Sequence, residues 1–461
     1  MINAKYIVYI LSPISFFFCL FQDRRLNYEY LFLLPLSLGI LSVLFSHIYK
    51  LLNNSIVFNI FLLQLIIRYC VIPFVFVLGN FYVGANSLNG NTAIFIMILE
   101  IIFAFAALNL VALKQRNSYL SKINTIIPMK NSIFLYGLIL VMLMYIYQNG
   151  YLERVNFIWN LDNYIQQYIA GNEELQDSKF AGLLFIPFKV IVSLFIISRI
   201  TVNKKISYRK KYIYYFITFI ASSIFIIGTS RLSMLFFSLP ILVLISLIIP
   251  PKISKKILVI FTFCLIPIII IASINKFTKE NSQISLSDIF NAASLNAYFS
   301  GPGNVAVGLD AYEQLNTKEN ILFCINDIFQ NAPGLAKYTS AAHKTNRLFN
   351  KEIYGNIEVA DQIVPLSISG IFHFDIFGAF FYVTFFLLIA LYMERKSHKE
   401  KFIAYKYMYI SLSITLSMTF ILNIGSMFLS LFSTYLFLYL PVYVIYQLQS
   451  MKSYSQNTQV R

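Results

Sequence analysis

Charge is scarce in this 461-residue chain: 12% of its residues are Asp, Glu, Lys or Arg, against about 25% in an ordinary soluble domain. That excludes a soluble enzyme held by one anchor. Cysteine is scarcer still. Cys19, Cys70, Cys264 and Cys324 stand far apart and the first three lie inside apolar blocks, so no zinc, iron–sulfur or disulfide framework is indicated. A single Trp stands against 32 Tyr and 45 Phe, a composition that fits an A+T-rich coding sequence. The catalytic signatures of soluble enzymes are missing too: no P-loop, no GxGxxG after a strand, no HExxH, no GxSxG and no DxD pair. ATP-driven chemistry and metal-assisted transfer from a nucleotide sugar are disfavoured, and no cofactor or metal is expected. No internal repeat or low-complexity linker appears.

What the chain has in abundance is apolar length, with 58% hydrophobic residues and a mean hydropathy of +0.69. A helix crosses the ~30 Å hydrocarbon core with about 20 apolar residues. Runs of that kind predict an all-α polytopic membrane protein with about 12 transmembrane helices, near 6–22, 28–46, 56–79, 93–113, 132–148, 180–200, 212–228, 232–250, 257–274, 370–393, 403–422 and 427–447. The first run is expected to be retained as a span rather than cleaved as a signal peptide, since no small-residue cleavage motif follows. The net charge of +16 sits mostly in short loops that alternate along the chain. Topology explains it better than a nucleic-acid partner does. Both termini are then cytoplasmic, with Arg24 and Arg25 the one dissenting loop. The whole of 1–461 reads as a single membrane domain with two outer segments, 149–179 and 275–369. The second, about 95 residues, is long enough to expect a function. Its stretches SLSDIFNAASLNAYF and TKENILFCINDIF have helical spacing, and SGPGNVAVG between them reads as a turn.

Candidate chemistry falls on few residues. Arg231 follows Gly228, Thr229 and Ser230 in a very short gap between two spans, a place for a guanidinium to meet a phosphate at the membrane surface. It also reads as a snorkelling residue that ends a span. In AAHKTNRLFNKEIYG, His343 and Arg347 have the i, i+4 spacing that puts a base and a cation on one helix face, although a solvated basic face has the same pattern. Asp361, where the chain returns to the membrane, offers a carboxylate base or merely a helix-start residue. Asp375 and His373 raise the same question slightly deeper. Arg68 and Glu100 fall inside spans, where an unpaired charge costs roughly 2.5–3.5 kcal/mol, so Arg68 is a functional candidate with Glu100 as its partner. Lys189 and Lys406 are expected to reach an interface.

With Gly228, Ser230 and Arg231 at the end of a mid-chain span, Asn346 and Arg347 in the long outer segment, and Asp361, Pro365, Gly370 and Gly378 where it returns, the layout resembles the O-antigen polymerases, the Wzy-type oligosaccharide repeat-unit polymerases. The resemblance implies a GT-C-like membrane fold, its large periplasmic loop carrying short helices, in a bacterial inner membrane. It implies a metal-independent glycosyltransferase whose donor is a glycan on undecaprenyl diphosphate and whose acceptor is a repeat unit on the same carrier. A chain-length-regulating membrane partner is implied as well. In such a reaction Arg231 and Arg347 would bind the diphosphate, with Arg68 as a further cation, and His343 or Asp361 would act as base. A lipid-linked oligosaccharide flippase needs no long outer segment, an O-antigen ligase shares the architecture, and a secondary transporter would show inverted repeats.

Overall fold

A computed structural model describes residues 4–22, 26–52, 54–78, 83–115, 126–129, 132–149, 155–157, 179–227, 231–249, 292–315, 320–330, 332, 334–357 and 362–447. Apart from one pair of three-residue strands, every element among them is helical. The chain forms two compact units: Met1–Leu120, Ser285–Glu394 and Ser413–Ser430 make the first, and Ser121–Ile284, Arg395–Leu412 and Leu431–Arg461 the second.

The first unit begins with α1 (Ala4–Phe21), packed on α2 (Leu33–Leu44), and the short α3 (Ser46–Leu51). Helix α4 (Ile56–Ile66) runs through a π-turn at Ile67–Val71 into α5 (Ile72–Val77), and α6 (Gly90–Gln115) follows. The second unit holds α7 (Ile133–Gln148), α8 (Lys179–Val202), α9 (Tyr208–Ile224) and α10 (Arg231–Ile248), each packed on the next. Its strands, Val155–Phe157 and Phe225–Ile227, pair antiparallel with Val155 opposite Ile227. The expected span 212–228 therefore stops being helical at Ile224, because the backbone of Phe225–Ile227 pairs with Val155–Phe157 instead.

Among the described residues, five helical runs are long and apolar enough to cross a membrane: Ile56–Val77, Gly90–Leu113, Leu184–Val202, Leu366–Lys399 and Ile424–Gln447. At ~1.5 Å per residue the 22 residues of the first reach roughly 33 Å. Shorter apolar helices lie at Lys5–Phe21, Leu33–Leu44, Ile133–Gln148, Phe236–Ile248 and Asn320–Phe329. The expected span 257–274 lies outside the described residues, as does nearly all of 149–179.

The described residues of the long segment expected outside the membrane fold into helices that pack within the first unit: α11 (Ala292–Tyr298), α12 (Pro302–Glu313), α13 (Asn320–Phe329) and α14 (Thr345–Tyr354). SGPGNVAVG is not the turn its glycines suggest. Pro302 opens α12 at a position where no N–H is needed, and Asn296 Oδ1 accepts the Gly303 N–H at 3.1 Å. The glycines serve close packing instead: a Cβ on Gly308 would meet Ile368 at 2.5 Å. Gly355, at φ +70°, ends α14.

The expected span 370–393 is also revised. Helix α15 (Leu366–Phe374) stops at Asp375, a 3₁₀ turn covers Asp375–Phe380, and α16 (Phe381–Lys399) then carries the chain on. Gly370 and Gly378 lie back to back, which only residues without a Cβ allow; a Cβ on Gly370 would stand 1.9 Å from the Gly378 carbonyl oxygen. Asp375 bears the strain of the reversal at φ +54°, ψ −157°. Helices α17 (Ile403–Ser417) and α18 (Ile424–Ser433) complete the chain, with a second π-turn at Thr434–Tyr439.

Glu394 ties the start of α4 to α16. Its Oε1 accepts the Ile56 N–H at 2.6 Å and its Oε2 the Ser55 hydroxyl at 2.5 Å, while Ser55 Oγ accepts the Phe58 N–H. The carboxylate is 2% exposed, so Glu394→Ala leaves buried donors without partners. Its expected cost is about 1–3 kcal/mol, read as a lower midpoint in a thermal melt of the detergent-solubilised protein.

Candidate functional site

Two polar clusters among the described residues of the first unit are each built on a buried acid–base pair. Arg68 stands in the π-turn, a distortion common at functional positions, and is 0% exposed. Its Nη1 donates to Glu100 Oε2 at 2.5 Å and its Nε to the Ser300 carbonyl at 2.8 Å. The guanidinium lies over the Phe420 ring, 4.2 Å from its centroid. Ser300 is held at φ +50° and gives its own hydroxyl to the Phe420 carbonyl. Phe420 belongs to the break between α17 and α18, which Gln64 staples by donating to Ser417 O and accepting from Phe420 N. The ion pair expected from sequence is therefore present. It neutralises two charges that neither lipid nor protein interior would accept singly.

The second cluster is built by α13, α15 and α16. Asp327, 0% exposed, shares its carboxylate between two elements: Oδ1 accepts the Thr345 N–H that opens α14, at 3.0 Å, and Oδ2 lies 2.9 Å from His373 Nε2. A carboxylate only accepts, so it fixes the proton on Nε2 and leaves Nδ1 to accept from the Tyr382 hydroxyl at 2.7 Å. Cys324, half-buried on α13, lies 3.8 Å from the same hydroxyl. The arrangement is that of an oriented proton acceptor: a carboxylate behind an imidazole, and a hydroxyl in front. Beside it, Asp375 accepts from the Tyr312 hydroxyl and from Asn320. Burial, followed by the Asp375 carboxylate, pushes the Tyr312 hydroxyl well above the ordinary tyrosine range.

The structure distributes the residues singled out from sequence. His343 closes a 3₁₀ turn, Ala341–His343, with its ring edge-on to Phe323 at 5.8 Å. Lys344 is extended and α14 starts only at Thr345. His343 and Arg347 thus do not share a helix face, because the Asp327 cap fixes the helix start between them. Arg347, on the first turn of α14, donates to the Ile357 carbonyl at 3.3 Å. Arg231 is the first residue of α10 and belongs to the second unit; Gly228–Ser230 and Asp361 lie outside the described residues. Lys189 Nζ lies over the Phe237 ring at 4.0 Å. Lys406 is 4% exposed and donates to the Ser397 carbonyl at 2.5 Å. Among the described residues no three His, Cys, Asp or Glu side chains group as a metal site.

Asp327 was invisible to motif reading. Its signal was weak but physical: a carboxylate on the apolar stretch ILFCINDIF must be paired if that stretch is buried.

This is a helical membrane protein. No protein-family model, no curated protein and no solved structure matches the chain.

Proposed function

We propose that this chain polymerises oligosaccharide units carried on undecaprenyl diphosphate, at the outer face of a bacterial inner membrane, with both termini cytoplasmic and about 12 spans in a GT-C-like arrangement. One observation carries the reading against a flippase: the described part of 275–369 is ordered into helices and bound to the rest of the first unit by side chains such as Asp327, whose Oδ2 lies 2.9 Å from His373 Nε2, and Asp310, whose Oδ1 accepts from Ser87 and Asn89. A transporter has no use for such a layer.

In the proposed reaction a hydroxyl of the acceptor sugar attacks the anomeric carbon of the donor glycan. The C–O bond to the lipid diphosphate breaks and the acceptor proton passes to a base. Asp327–His373 is the pair best equipped for that role, since the carboxylate stabilises the imidazolium that forms; it takes precedence over His343 and Asp361. Arg347, on the first turn of α14, would meet the departing diphosphate. Cleavage of the glycosyl–diphosphate C–O bond supplies the energy.

Deletion of the gene, with the surface glycan displayed on a gel, tests the reading. The expected result is loss of the ladder with a single repeat unit still attached. Loss of every repeat would indicate a flippase, and accumulation of free lipid-linked polymer a ligase; either overturns the proposal.

A further inference from the structure

Helices α13 and α14 present their polarity in opposite senses. Helix α14 buries Phe349 and exposes Lys351 and Glu352, the ordinary pattern for a helix that meets water. Helix α13 does the reverse: Asn326 and Asp327 are buried, and every exposed residue on it is apolar, Ile321 at 75% with Leu322 and Ile325. The reversal between α15 and α16 continues this surface. There His373 turns its ring nitrogens to Asp327 and Tyr382, while Phe374, Ile376 and Phe377 are exposed, Phe377 at 77%. Below the reversal, Phe381, Phe385 and Leu388 form an exposed stripe at helical spacing on Leu366–Lys399, a run apolar enough to cross the membrane.

The level of the surface follows from α6. Phe380, at the end of the 3₁₀ turn, stacks on Phe103 with ring centroids 3.7 Å apart, and Phe103 is just past the middle of the 24-residue run Gly90–Leu113. The other end of the reversal is polar: Asp375 accepts from Tyr312, whose neighbour Glu313 accepts from Asn89, beside the start of α6. The hairpin therefore extends from the headgroup level at the Gly90 end of α6 to near the centre of the bilayer.

We propose that lipid acyl chains cover this surface, so that α13 and the α15–α16 reversal are immersed in the leaflet on the Gly90 side of α6. The segment 275–369 is then, at α13, a re-entrant part of the membrane body and not a layer above it. Hydrocarbon offers polar groups no partner, which turns Asn326 and Asp327 inward and leaves the apolar side chains outside. Against water, a contiguous apolar face of this kind would be a liability. The inference rests on polarity and depth, and not on the function proposed above.

The test uses the full chain with its one tryptophan removed, Trp159→Phe, in phosphatidylcholine vesicles with and without bromine on the acyl chains. A single tryptophan is then introduced by Ile321→Trp or Phe377→Trp, with Phe385→Trp as the lipid reference and Glu352→Trp as the water reference. Brominated lipid is expected to quench the emission at 321 and 377 to the same extent as at 385, and aqueous acrylamide to quench only that at 352. Quenching at 321 and 377 by acrylamide instead would show a face bathed in water. Quenching by neither would show a face covered by protein, whether another segment or a second copy. Either result overturns the proposal. The wild-type chain supplies a second reading free of substitutions: after irradiation with a phosphatidylcholine bearing a diazirine on its acyl chain, lipid adducts should map to peptides containing Ile321 and Phe377, and adducts confined to other helices would contradict it.

Discussion

Glu100→Ala is expected to destabilise the first unit by about 3–5 kcal/mol, the cost of breaking a buried ion pair from one side. The reason lies in what remains. Arg68 is 0% exposed; the Ser300 carbonyl and the Phe420 ring would remain to Nε and the guanidinium face, but they supply no counter-charge, and Nη1 would join Nη2 in having no hydrogen-bond partner among the described residues. Replacing both partners, Arg68→Met with Glu100→Leu, should recover most of the loss, because paired burial is weakly stabilising at best. Denaturation in detergent measures both. Under the proposed function the double variant also separates two roles: if Arg68 serves only the fold, any polymerising activity of the wild type returns with stability, and if the guanidinium also meets the diphosphate, that activity stays lost.

The second large effect is at the α15 reversal. Gly378→Ala would place a Cβ 1.8 Å from the Gly370 carbonyl oxygen, and Gly370→Ala one 1.9 Å from that of Gly378. Neither obstacle is a side chain that can swing away. The hairpin must open, at a cost at or above the ~3 kcal/mol end of overpacking. Such opening would also move His373 and Asp375, which flank the turn. Gly137→Ala is the control: it lies in α7, a Cβ there meets nothing within 4 Å, and the change should stabilise by about 0.5–1 kcal/mol. Equal thermal midpoints for the two variants would refute the account of the reversal.

The membrane class and the Arg68–Glu100 pair were legible in the sequence because each follows from one energetic rule: apolar length must be buried in lipid, and charge within it must be paired. The reversal at Asp375 was not legible as a fold, since Gly370 and Gly378 signal close approach without saying to what. The i, i+4 reading of His343 and Arg347 failed for a related reason. Helix periodicity cannot locate the helix start, which here is set by a carboxylate from Asp327, distant in sequence and itself marked by no motif. His373 was noticed as a titratable residue near the membrane, but its orientation depends on Asp327 and Tyr382, a long-range encounter that spacing does not encode.

Reconstitution measures the central claim most directly: the purified chain in nanodiscs with an undecaprenyl-diphosphate-linked repeat unit as sole substrate, its products resolved by length. The account predicts glycans of two or more repeats on the lipid carrier, formed by the wild-type protein and lost in Asp327→Asn and His373→Gln. Recovery of the single repeat unit unchanged, from folded wild-type protein, would contradict it.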